Sequence, residues 1–265
     1  MMRILFFGDV FGKPGRMVVQ RFLPLLQEEF KPDFCIANGE NLAQGRGLTE
    51  KTAGALFQAG IAAFTSGNHL WDKRESLEYI KLDGRILKPL NYPEKAVGAR
   101  YIILHTTDGA KLAVLTLIGQ AFMPPANSPI DALMAILPEI QQHTSTILVD
   151  FHAEATAEKR TLGMLFDGQI SALVGTHTHI QTADEEILPK GTAYLTDVGM
   201  TGPHDSVIGV KTEIILQKMT TGMPIRYEVA DGGLQINAVV IDIDEQSGTA
   251  LAIKRIKREV SWEND

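Results

Sequence analysis

Five short apolar runs in this chain each stop within a residue or two of a side chain able to bind a cation. Residues 3–7 lead into Gly8-Asp9, and 33–38 into Gly39-Glu40-Asn41. Residues 61–65 lead into Ser66-Gly67-Asn68-His69, 146–149 into Asp150-Phe151-His152, and 169–174 into Gly175-Thr176-His177-Thr178-His179. Runs this short, and continuous rather than alternating, read as strands buried on both faces. Helical spacing falls between them: 17–30, from a Thr49 N-cap to 58, 72–80, 130–142 and 155–166. Ser128 is a candidate cap for the 130–142 helix, Pro129 lies near its first turn, and Pro138 should kink it or end it early. Residues 101–104 and 112–117 read as a hairpin. Beyond His179 the pattern changes to strand-like runs at 187–189, 193–196, 225–229, 234–243 and 250–256, with one helical piece near 210–219. The order predicts an α/β layered sandwich with mixed β-sheets flanked by helices, and one domain over residues 1–265, since no linker or repeat divides it.

In an open α/β sheet the carboxyl ends of strands line the ligand crevice. Asp9, Glu40, Asn68, His152 and His177 all fall at or just beyond such ends. Gathering carboxylates, an amide and imidazoles in one crevice costs several kcal/mol unless their charge is balanced, and metal ions would balance it. His177 and His179, two residues apart, point the same way in extended backbone and so can face one ion or two neighbouring ions. Each residue has a plainer reading: Asp9 as a helix cap, Glu40 and Asn41 as turn residues, Asn68 as a turn former, His69 as an exposed histidine, His152 as a satisfied core group. Their conjunction favours the metal site.

Composition narrows the partners. A net charge of -7 argues against duplex nucleic acid, whose binding draws on clustered Lys and Arg, and favours a small substrate. The single cysteine, Cys35, lies inside an apolar run, so no intramolecular disulfide forms and the cytoplasm is the expected compartment. The apolar run at 4–7 is too short for a signal peptide, and the longest elsewhere, 112–123, is interrupted by Thr116, Gly119 and Gln120, so no membrane span is expected.

The five blocks, in order, resemble those of the calcineurin-like metallophosphoesterases. The first block, GDVFGKPGR, and residues 150–159, DFHAEATAEK, are similar to the bacterial YmdB-type branch. Two departures from the wider superfamily belong to that branch: Phe11 stands where a histidine is usual, and Glu40 where an aspartate is usual. The resemblance implies two metal ions, one held by Asp9, Glu40, Asn41 and His179, the other by Glu40, Asn68, His152 and His177, with Glu40 as the bridge. An amide oxygen in place of a nitrogen ligand hardens the first position and favours iron or manganese over zinc. The implied activity is a phosphodiesterase acting on 2′,3′-cyclic and also 3′,5′-cyclic nucleotides. Hydroxide formed between the ions would attack phosphorus, and His69 would serve as general acid. Two other readings stay open: a metal-dependent hydrolase of a non-phosphate bond, and a regulatory nucleotide-binding protein with weak turnover.

The remaining polar residues carry weaker expectations. Asp72 either orients His69 or caps a helix; Thr176 and Thr178 support the ligand loop; His204 either touches substrate or is exposed, exposure being favoured, and Lys13 and Arg16 either meet a phosphate near the first loop or, by default, lie at the surface. No aromatic-rich stretch marks a base-stacking platform. Residues 122–129 fit either a homo-oligomer interface or buried packing.

Overall fold

A computed structural model describes residues 1–261. Two six-stranded sheets stack face to face. Sheet one comprises β1 (Met2–Val10), β2 (Phe34–Asn38), β3 (Ala63–Thr65), β10 (Met200–Pro203), β11 (Leu234–Ile243) and β12 (Ala250–Glu259), in the order β12-β11-β10-β1-β2-β3. Sheet two comprises β4 (Tyr101–His105), β5 (Lys111–Ile118), β6 (Ile147–His152), β7 (Ala172–Thr176), β8 (Glu186–Ile187) and β9 (Ala193–Leu195), in the order β4-β5-β6-β7-β9-β8. Both sheets are mixed: β1, β2, β3 and β10 run parallel, as do β5, β6, β7 and β9, while the hairpin strands pair antiparallel. The expected α/β sandwich is what forms.

The period of two along each strand sorts its side chains between layers. On β1, Ile4 and Phe6 face the second sheet and pack with Leu148, Val174 and Leu195. Leu5 and Phe7 face outward, onto α1 (Gly12–Phe30) and α2 (Glu50–Ala59). The outer face of sheet two is covered by α4 (Pro129–Ile140) and α5 (Thr156–Leu165) through Leu133, Ile136 and Leu162. Two further helices, α3 (Leu77–Leu82) and α6 (Thr212–Thr221), lie outside these layers' centres, and α6 has no fully buried residue. Among the described residues no helix is long and apolar enough to cross a membrane.

Local signals set several boundaries. Thr49 caps α2 with its hydroxyl on the Thr52 amide, and Thr52 returns the bond. Ser128 caps α4, with Pro129 in its first turn. Pro138 does not break that helix, which continues to Ile140; so near the C-terminal end it costs little of the ladder.

Three expectations are corrected. Helix α1 starts at Gly12, not near residue 17, because Gly12 at φ +62° turns the chain directly out of β1. Residues 225–229 form no strand: their one ladder contact is Val229 to Val210, and Pro224 just before them has no N–H to donate. Residues 200–203, for which the sequence predicts no strand, form β10 beside Asp9 and Val10. That strand lengthens β1, so Asp9 lies within it rather than beyond its end.

Candidate metal centre

Sheet one delivers the oxygen donors. A register shift between Phe7 and Asp9 puts a bulge at Gly8, which turns the Asp9 carboxylate toward the seam between the sheets. Only glycine fits there: a Cβ on Gly8 would lie 1.8 Å from the Gly199 carbonyl oxygen. Asp9 does not cap α1, whose N-cap is Phe11. Glu40 and Asn41 follow β2, and the Asn41 carbonyl accepts the Gly12 N–H at 2.9 Å, which locks this loop to the start of α1. Asn68 and His69 follow β3. Gly67 between them and the strand is sterically required, since a Cβ would sit 2.1 Å from the His152 ring and 2.4 Å from Glu40 Oε2.

Sheet two delivers the nitrogen donors: His152 ends β6, and His177 and His179 follow β7. Both of the latter adopt positive φ, +104° and +65°, a conformation that non-glycine residues keep only where surrounding contacts hold them. The contacts are visible. Asp9 Oδ2 accepts the His177 backbone N–H at 3.1 Å, and the buried Asp197 carboxylate accepts the Thr178 amide and hydroxyl at 3.1 and 2.8 Å. Buried Lys159 donates to Asp197 and to the Thr176 carbonyl, each at 2.8 Å. This Lys159–Asp197 pair under the histidine loop left no sequence signal, because its members lie 38 positions apart in the chain.

Glu40, His152 and His177 converge, with one donor atom of each lying within 4.8 Å of the others. His152 Nε2 is 3.1 Å from Glu40 Oε1 and 3.0 Å from His177 Nδ1. Asp9 Oδ1 stands 4.0 Å from His152 Nδ1 and 3.9 Å from His179 Nε2, which brings Asp9 and His179 beside this group. Asn41 and His69 line the same cleft as Glu40, His177 and His179. Asn68 lies between Gly67 and His69, the latter donating its backbone N–H to Glu40 Oε2 at 3.1 Å.

Each imidazole has one nitrogen tied and the other turned inward. His152 Nδ1 meets Thr176 Oγ1 at 2.8 Å, and that hydroxyl donates to Asp150 Oδ1 at 2.7 Å, so the Thr176 oxygen accepts from Nδ1–H and leaves Nε2 free for Glu40. His179 Nδ1 donates to the Ile208 carbonyl at 2.9 Å, and His177 Nε2 pairs with Glu154 at 3.2 Å. This is the tautomer control that metal-binding histidines use. The oxygens behave differently: Asp9 Oδ1, Asn41 Oδ1 and Asn68 Oδ1 are buried with no hydrogen-bond partner. Three orphaned oxygens beside a Glu–His–His group are a donor set that fits divalent cations.

The protonation pattern follows from burial and neighbours. Burial opposes charge on both Glu40 and His152, yet their mutual attraction prevails, taking Glu40 down to about 2 and His152 up to about 9. Burial, with His152 beside it, pushes His177 down to about 3, so His177 is a neutral nitrogen donor at physiological pH. Burial raises Asp9, with His179 and His152 opposing.

Other expectations resolve here. Asp72 is not a cap; its carboxylate meets His69 Nδ1 at 2.9 Å. Thr176 and Thr178 do support the histidine loop. His204 is partly buried and donates Nε2–H to the Met200 carbonyl at 2.9 Å, so it pins β10 rather than facing solvent. Arg16 is half-buried and donates to the Leu42 carbonyl, whereas Lys13 is exposed as expected. Cys35 is buried. Phe122 is 93% exposed, so buried packing does not account for it.

Residues 5–256 match the family of YmdB-like proteins. The chain belongs to that family. It is 49% identical over 255 residues, 96% of each chain, to a Bacillus subtilis protein named 2′,3′-cyclic-nucleotide 2′-phosphodiesterase. A crystal structure of a hypothetical protein from Thermus thermophilus superposes with a TM-score of 0.92 at 38% identity, covering 97% of this chain and 99% of that one. A structure titled as a novel phosphatase from Mycoplasma pneumoniae gives 0.91 at 32% identity, covering 97% and 93%. The expected membership and the expected class, a phosphoester hydrolase, are both borne out.

Proposed function

We propose that this chain is a dinuclear metal-dependent phosphodiesterase of small cyclic nucleotides, 2′,3′-cyclic monophosphates first among them. The observation that carries this reading is the trio of buried, partnerless oxygens on Asp9, Asn41 and Asn68, together with the convergent Glu40–His152–His177 group. Asp9, Glu40, Asn41 and His179 would hold one ion, and Glu40, Asn68, His152 and His177 the other, with iron or manganese suited to so many oxygen donors. Bound there, the ions supply Lewis acidity toward phosphoryl oxygens and a water made nucleophilic at neutral pH.

The remaining work belongs to the protein. His69 lines the cleft without joining the donor group, and Asp72 holds its Nδ1, leaving Nε2 to protonate the departing ribose oxygen as the P–O bond breaks. Backbone contact between His69 and Glu40 sets this acid at a fixed offset from the donor group. The cleft, about 770 Å³, is of the size that takes a mononucleotide. A relative at 49% identity named for hydrolysis of 2′,3′-cyclic nucleotides supports the choice of substrate.

The test is His69→Ala in the manganese- or iron-loaded protein, assayed on bis-p-nitrophenyl phosphate, a monoester and cyclic nucleotides. Turnover of diesters should fall about 10²- to 10⁴-fold, the usual contribution of a general acid, with metal content intact by elemental analysis. Loss of metal in the variant would move His69 into the ligand set. A wild-type protein that binds metal yet hydrolyses none of these esters would overturn the reading.

A further inference from the structure

The wall of the cleft opposite the donor group is built from α6 and the irregular segment after it, and it carries one aromatic ring, Tyr227. Two cations converge on that ring. Lys218 Nζ lies 4.7 Å from its centroid and donates to its hydroxyl, and the Arg46 guanidinium carbon lies 5.9 Å from the centroid. Among the described residues neither Lys218 nor Arg46 has a carboxylate partner, although Glu228 is close enough in sequence to serve; it pairs with Lys211 at 2.7 Å instead. The ring is 37% exposed, and Ile225 and Val229 of the same segment line the cleft beside it. The segment's end is fixed by backbone bonds from Lys211 N–H to Glu228 O and from Ala230 N–H to Gly209 O, at 3.0 and 2.9 Å.

A partly exposed aromatic ring lining a cleft, flanked by hydrogen-bond donors that no acid neutralises, is the chemistry that receives a nucleobase. The base stacks on the ring, and the cations donate to its ring nitrogens and carbonyl oxygens. We infer that Tyr227, backed by Lys218 and Arg46, is the nucleobase platform of this enzyme. The inference rests on the nucleotide reading above and adds the residues that would make the enzyme prefer a nucleotide to a bare cyclic phosphodiester. The sequence marks no aromatic-rich stretch as a platform; here a lone tyrosine in an irregular segment would serve, with Arg46, from a loop far away in the chain, brought to its ring.

Binding tests this separately from catalysis. The manganese-loaded full chain is titrated with adenosine 3′-monophosphate and with methyl riboside 3-phosphate, which share the ribose and its phosphate ester and differ only in the base. The wild type should bind the nucleotide about 5- to 100-fold more tightly, the range that base–aromatic stacking supplies. Tyr227→Ala should bring the two affinities together, while Tyr227→Phe and Tyr227→Trp keep them apart. Equal affinities in the wild type, or an unchanged ratio in Tyr227→Ala, would overturn the inference. A wild type that shows the binding ratio but hydrolyses no cyclic nucleotide keeps the platform and removes the proposed reaction.

Discussion

The two sheets supply opposite halves of the candidate site. Sheet one brings only oxygen donors, from Asp9, Glu40, Asn41 and Asn68, and sheet two only imidazoles, from His152, His177 and His179. The imidazole half is oriented by the protein itself, each ring having one nitrogen bound to Thr176, Glu154 or the Ile208 carbonyl. The oxygen half is not: three of its side chains keep a buried oxygen without a partner. A neutral imidazole such as His177 is cheap to bury once one N–H is satisfied, and His152 has the Glu40 carboxylate beside it, whereas carboxylates and amide oxygens brought together need positive charge or donors to offset desolvation. The nitrogen half is therefore preorganised by hydrogen bonds, and the oxygen half offers donors of the kind a cation takes.

That contrast can be broken from either side. The largest effect belongs to Glu40→Ala, which removes the carboxylate that meets both the His152 ring and the His69 backbone. Bound metal by elemental analysis should drop, and kcat/KM on bis-p-nitrophenyl phosphate should fall on the order of 10³-fold or more, because several kcal/mol of Lewis-acid stabilisation are lost. Retention of both metal and activity would sink the oxygen half as a metal site. Next comes Gly67→Ala, placed where the halves touch. Its methyl must displace the His152 ring or Glu40, and a shift of about 1 Å costs roughly 10²-fold in turnover. A variant with wild-type rates would show that the seam has slack.

A smaller loss is expected on the nitrogen side. Thr176→Val keeps the shape of the side chain but removes the hydroxyl that fixes His152, so manganese affinity or activity should fall about 10- to 100-fold, the cost of losing a contact that orients a ligand. No change in either quantity would mean that the imidazole half does not depend on its hydrogen bonds. The smallest effect is at Cys35, in sheet one but away from the seam, where burial pushes the thiol up to about 12. At pH 8 the native thiol should resist a thiol reagent that labels the urea-unfolded chain at once. The sign of the linkage follows: this contribution to stability is complete below the unfolded thiol's pKa near 9 and is lost as pH rises toward 12, because only the unfolded chain ionises there. Rapid native labelling at pH 8 would contradict the burial.

Much of the fold was legible because it rests on local periodicity. Continuous apolar runs marked the central strands, and Thr49 and Ser128 marked helix starts through their hydroxyls. What escaped detection depended on partners. Strand β10 is four residues long and exists because β1 and β11 flank it; its own residues, Met-Thr-Gly-Pro, carry no strand pattern. Residues 225–229 have the opposite problem, a strand-like composition with no ladder beside them. In the site, residue types at strand ends were enough to single out Asp9, Glu40, His152 and His177. The supports Asp150, Lys159 and Asp197 were not, since each looks in sequence like any other charged residue near an apolar run.

By itself the sequence determined which side chains could meet, because the period of a strand and the place where it stops fix the end of the sheet at which a residue emerges. Only the tertiary structure decided how they meet. The stacking of two sheets set oxygens against nitrogens, the Thr176 hydroxyl chose the tautomer of His152, and Arg46 was brought over Tyr227. Those choices turn on distances between residues as much as 181 positions apart in the chain, as Arg46 and Tyr227 are (227 − 46 = 181), which no local pattern encodes.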